Sequence, residues 1–168
     1  MARRRLPFEY SKKAGYRCNL DADEIHLLRR LLGEVRELLT TTGANDPKMQ
    51  RLFPPAYDQN IDAEANADYA RLMHDELVAS RLDSLATIDE IFSAASAEEG
   101  TPQSITEDQL HALAKSLNSV RLILGSLLGI SDDEDDGSNT AAPENMALYH
   151  YLSWLLECAI GALTARLD

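Results

Sequence analysis

Apolar residues along this chain change their spacing several times, and each spacing predicts an element. They alternate first as Leu6, Phe8 and Tyr10 and then, past the polar stretch Ser11 to Gly15, as Tyr16, Cys18 and Leu20. Period two on both sides of a glycine-containing connection predicts a β-hairpin over about residues 5–20, with one face buried. A lone hairpin is marginal in water, so it is expected to lie against helices. Asp21 with Glu24 resembles a capping box, and Ile25, Leu28, Leu32, Val35 and Leu39 follow at helical spacing, which predicts a helix over about 22–42.

The segment from Gly43 to Asp62 holds Pro47, Pro54 and Pro55, which excludes regular helix and central strand. Its Leu52, Phe53 and Tyr57 are expected to pin it to the core. Residues 63–97 lack Gly and Pro, and helical periodicity appears twice there, at Tyr69, Leu72, Met73 and Leu77 and then at Val78, Leu82, Leu85, Ile88 and Phe92. At about 100° per residue the two stripes fall on opposite sides of one helix. Either that helix kinks near Ala79 to Arg81, or it runs straight and leaves a face for a partner chain.

After a linker from Glu98 to Ser104, Thr106 and Gln109 form a second capping box, with Ile105 and Leu110 placed as a hydrophobic staple. A helix over about 107–128 follows, and Gly129 with Ile130 ends it in the manner of a Schellman cap. Residues 131–142 are a polar, acidic loop. The last helix, about 144–166, is apolar on nearly every side, as the centre of a bundle or half of a dimer interface would be. The fold class is therefore mainly α, a bundle of four to five helices with a small N-terminal β-hairpin, in a single domain over residues 1–168.

Charge narrows the function. The net charge of −12 opposes direct DNA binding, because a duplex is bound through neutralisation of its phosphates. The basic cluster Arg3, Arg4 and Arg5 with Lys12 and Lys13 is small against 28 acidic side chains and reads as a solvated edge. The opening residues lack the apolar stretch of a signal peptide, and no uninterrupted apolar run of about 18 residues occurs, so a cytoplasmic protein without a membrane anchor is expected. Two cysteines make no disulfide framework.

Candidate chemistry is sparse. Asp132, Glu134, Asp136 and Gly137 match four positions of a calcium loop, but the position that must carry a bidentate carboxylate is Pro143, so a solvated loop is the better reading. Asp23 with His26, and Asp108 with His111, have the spacing of bundle metal sites, and a small helical metal-binding protein or enzyme built on them is the alternative reading. Both Asp residues also lie in first turns, where negative charge suits the helix dipole without a metal. His74 and Asp75 are neighbours that cannot face each other on a helix, and no nucleophile with a base, phosphate loop or paired-cysteine motif is present. No cofactor, metal or catalytic residue is therefore expected. Cys18 and Cys158 are the redox candidates. Arg81, Arg121 and Glu157 flank apolar stripes and predict at least one Arg–Glu pair between helices.

At RLFPPAY (Arg51 to Tyr57), RLMHDELVASRL (Arg71 to Leu82), LNSVRLILGSLLGI (Leu117 to Ile130) and YLSWLLE (Tyr151 to Glu157), the chain resembles an actinobacterial family. That family, formerly a domain of unknown function, is called AosR-like after an oxidative-stress transcriptional regulator. The resemblance covers most of the chain and implies a cytosolic regulator that responds to oxidants and contacts a sigma factor of RNA polymerase. A short-spaced cysteine pair would be the natural sensor in such a protein, and this sequence has none. The function expected is a non-enzymatic, redox-linked transcription co-regulator working through protein–protein contacts. Phe53, Tyr57 and Trp154 are the partner-binding candidates, and a homodimer is expected through the last helix or the long second one.

Overall fold

Alternation at the N-terminus becomes an antiparallel pair, β1 (Phe8–Ser11) and β2 (Gly15–Cys18), in the register Phe8 to Cys18 and Tyr10 to Tyr16. Phe8, Tyr16 and Cys18 are buried on one face, while Glu9 and Arg17 pair on the other. Gly15 closes the turn at φ 68°, a left-handed conformation that costs glycine nothing. The computed structural model describes residues 5–43, 46–53, 62–95, 102–130 and 142–167. The expected acidic loop with its calcium-like residues, Tyr57, and Arg3 and Arg4 of the basic cluster lie outside them.

The hairpin gains a strand that the sequence pattern did not predict. β3 (Gln103–Ile105) pairs antiparallel with β2, giving the order β1-β2-β3 where a linker was expected. Three residues are too few to show a period, and the free edge of β2 recruits them. Ile105 then does double duty. It fills the sheet's buried face, and as the residue before the Thr106 cap it is buried in the same core as Leu110, as a hydrophobic staple requires.

Helix α1 (Ala22–Thr41) starts at the predicted capping box, with the Asp21 side chain accepting from the Glu24 N–H at 2.9 Å and Glu24 accepting from the Asp21 N–H at 3.0 Å. A second correction concerns the proline-rich segment, where α2 (Pro47–Leu52) forms a short helix. Pro47 does not break it because it occupies the first turn, where its missing N–H would have no partner anyway, and Asp46 caps the next amide. Met49 and Leu52 are buried by this turn.

Helix α3 (Ala63–Ala95) runs without interruption, so the predicted choice between kink and continuity falls to continuity. Its 33 residues span about 50 Å. Only the later part enters the core, through Leu85, Ile88, Ile91 and Phe92. Helix α4 (Glu107–Leu127) has the predicted Thr106–Gln109 box and a full Schellman ending, with Ile130 N–H on Gly125 O at 2.9 Å and Gly129 N–H on Ser126 O at 3.2 Å. Helix α5 (Pro143–Thr164) lies along α4, and Gly125 allows the approach, since a Cβ there would stand 3.2 Å from Tyr149 Cε2. One buried cluster joins the sheet to all five helices.

Candidate functional site

The last helix has more apolar surface than the bundle can cover. Leu152, Leu155, Ala159 and Ala162 form its buried stripe, whereas Trp154 stays 40% exposed and Ile160 49% exposed. Among the described residues α5 is the helix long and apolar enough to cross a membrane, with a mean hydropathy of 1.2 over 18 residues, and 22% of that window is buried. Its surplus lies on both flanks of the buried stripe, and the flank with Trp154 is the one beside the hairpin.

A groove of about 670 Å³ runs between that face and the outer edge of the hairpin. Leu6, Tyr10 and Arg17 line it on the sheet side, and Trp154, Glu157 and Cys158 on the helix side. The Trp154 ring leans on Tyr151, with centroids 6.0 Å apart. The Tyr151 hydroxyl in turn donates to Glu24 at 2.9 Å, tying α5 to the capping box of α1. Trp154 also borders a smaller depression of about 290 Å³ with Arg5, Asp21 and Glu24.

The two thiols are placed differently, and neither forms a disulfide. Cys18 is buried opposite Phe8, and burial pushes its thiol up to about 11, with the Leu20 backbone pulling slightly the other way. Such a thiol is a poor nucleophile at neutral pH. Cys158 is partly exposed in the groove, with its pKa raised by desolvation and then by the neighbouring Glu157 carboxylate. Of the two redox candidates, Cys158 is the one a reagent can reach.

Phe53 is half-buried at the end of α2, with the Arg81 guanidinium 5.9 Å from its ring centroid and His74 edge-on at 6.2 Å. Arg81 also donates to Ser119 Oγ at 2.7 Å, to Lys115 O at 3.3 Å and to Leu52 O at 3.5 Å. Burial lowers its pKa below the ordinary arginine value. Phe53 and Arg81 thus join α2, α3 and α4. Arg121 donates to Tyr149 OH at 3.1 Å and to Asn118 Oδ1 at 3.2 Å, with its guanidinium 5.8 Å from the Tyr149 ring centroid.

Among the described residues these arginines use carbonyls, hydroxyls, an amide oxygen and rings where carboxylate partners were predicted. An Arg–Glu pair forms instead between Arg166, past the end of α5, and Glu107 in the first turn of α4, and Arg36 pairs with Asp89 between α1 and α3. Asp23, His26, Asp108 and His111 are all exposed, and no cluster of three or more metal-ligating side chains occurs among the described residues.

A family model described as a domain of unknown function (DUF2017) matches residues 4–163. The chain belongs to this family. No curated protein and no solved structure gives a significant match. The DUF2017 match begins before β1 and ends within α5, so the family unit includes both walls of the groove. Signals for the groove were present only in part: the surplus apolar face of α5 is legible, but its meeting with β1 is not.

Proposed function

We propose that this DUF2017 protein is a non-enzymatic cytoplasmic adaptor that acts through protein–protein contacts, as a redox-linked transcription co-regulator contacting a sigma factor or RNA polymerase. The observation that carries the reading is the uncovered apolar surface of α5, where Trp154 stands at an open groove and Ile160 is exposed on another side of the helix, on a protein of net charge −12. Such a face, uncovered by its own chain, suits a protein partner. The resemblance to AosR-like regulators supports the transcriptional part, and the reachable thiol of Cys158 in the same groove supports the link to oxidants. Self-association belongs to the same reading, through the exposed stripe of α3 that includes Tyr69 and Leu72.

Affinity capture from the native cytoplasm, with and without peroxide, tests this. A sigma factor or polymerase subunit is expected in the bound fraction, in an amount that changes with oxidant and ceases to change in Cys158→Ser. Recovery of no transcription protein in either condition overturns the reading.

A further inference from the structure

The chain carries four lysines against twelve arginines, and Lys115 is the lysine on the seam between α3 and α4. Lys12 and Lys13 belong to the hairpin connection and Lys48 to α2. The Lys115 side chain crosses the seam to α3, where Nζ donates to Ser80 Oγ at 2.6 Å and to Ser80 O at 3.2 Å. No carboxylate of a described residue lies within ion-pair distance of it. Its charged neighbour is instead a second cation, the Arg81 guanidinium, held against the same turn of α4 through Lys115 O and Ser119 Oγ.

A protonated lysine amine has three N–H bonds, and the neutral amine has two with a lone pair. Ser80 supplies two acceptors, so in the neutral form both hydrogens are engaged and the lone pair takes the remaining position. That position is reachable, because Lys115 is only partly buried. The neutral form is also favoured: burial and then the Arg81 guanidinium lower the pKa of Lys115, against a smaller opposing pull from Asp83. A lysine that is partly desolvated beside another cation is the arrangement that makes an amine a nucleophile at ordinary pH. Arg81 also offers positive charge to the phosphate of a reagent arriving there.

The geometry points to Lys115 as an acylation site whose donor is a small acyl phosphate. Its Nζ attacks the acyl carbon and forms the carbon–nitrogen bond. The carbon–oxygen bond to phosphate breaks, phosphate leaves with that electron pair, and the surplus Nζ proton passes to water. The product is a neutral amide with one N–H, so Lys115 no longer holds both acceptors of Ser80. Ser80 lies between the exposed stripe of α3, at Tyr69 and Leu72, and its buried part, from Leu85 onward. Acylation thus loosens α3 from α4 close to where the stripe leaves the bundle. The inference goes beyond the adaptor reading and does not depend on it.

The probe is acetyl phosphate, added to the full chain at pH 8, with the acetylation rate at each lysine followed by mass spectrometry. Lys115 is expected to react at least tenfold faster than Lys12, Lys13 or Lys48. In concentrated urea the four rates should converge to within about twofold, because unfolded lysines share one ordinary pKa. Ser80→Ala removes one acceptor at an exposed helix position, where alanine suits the helix, and should cut the Lys115 rate at least threefold with an unchanged circular dichroism spectrum. Asp83→Asn, also at an exposed position, removes the opposing carboxylate and should raise the rate about twofold by favouring the neutral amine. Equal rates at the four lysines of the folded chain, a Lys115 excess that persists in urea, or a native rate in either variant overturns the inference. Cytoplasmic capture plays no part in this readout, so failure of the adaptor reading leaves it standing.

Discussion

Cys18 is held as a neutral thiol behind the hairpin, and burial, its largest influence, gives it a pKa of about 11 in the fold against 9.0 for an ordinary cysteine. The folded protein therefore binds this proton more tightly than the unfolded chain. The stabilisation is fully present below pH 9 and is lost as pH rises from 9 towards 11, amounting to about 2 to 3 kcal/mol. Urea melts over that range should show the loss in the native chain, and Cys18→Ala should flatten it. The same burial sets reactivity. At pH 8, iodoacetamide followed by mass spectrometry should label Cys158 in the folded protein and Cys18 only after unfolding, and equal labelling of both would contradict the described packing. The apolar side of Cys18 was legible from its alternation with Tyr16. The access of Cys158 was not, because it depends on the hairpin across the groove.

Helix boundaries rest on short local signals, and these were legible. Both capping boxes form where residues three apart predicted them, since a cap needs only its own first turn. Replacing Thr106 with Ala removes a hydroxyl that accepts the Gln109 N–H at 3.1 Å. The expected cost is about 1 kcal/mol, a fall in Tm of roughly 2 to 4 °C by calorimetry. The two elements missed, α2 and β3, fail for opposite reasons. Pro47 looked like a breaker although its position at a helix start is favourable, which the Asp46 cap just before it could have shown. β3 carries no signal of its own, because a three-residue strand exists only by pairing with β2.

The molecule as a whole is a core with two uncovered apolar faces and a strongly negative charge. Helix α3 outruns the roughly 30 Å of α4, so its N-terminal stripe extends past the packed part, and Leu72 is left 72% exposed. Self-association through that stripe should appear in sedimentation velocity as a dimer that Leu72→Glu converts to monomer without a change in Tm. A monomer at all concentrations in the native chain would rule the stripe out as a dimer face. The face on α5 is independent of it, so Leu72→Glu should leave capture of a transcription partner intact.

The sequence by itself determined the main helices, their caps, the buried side of the hairpin and the excess of apolar surface, because each is written within a few neighbouring residues or in composition. Only the tertiary structure decided which apolar faces are covered. Periodicity shows where a side chain points, but burial depends on whether an element distant in the chain arrives there. That is why Phe53, read from the sequence both as a pin to the core and as a partner contact, lies half-buried beside Arg81, while Trp154 remains at the mouth of a groove.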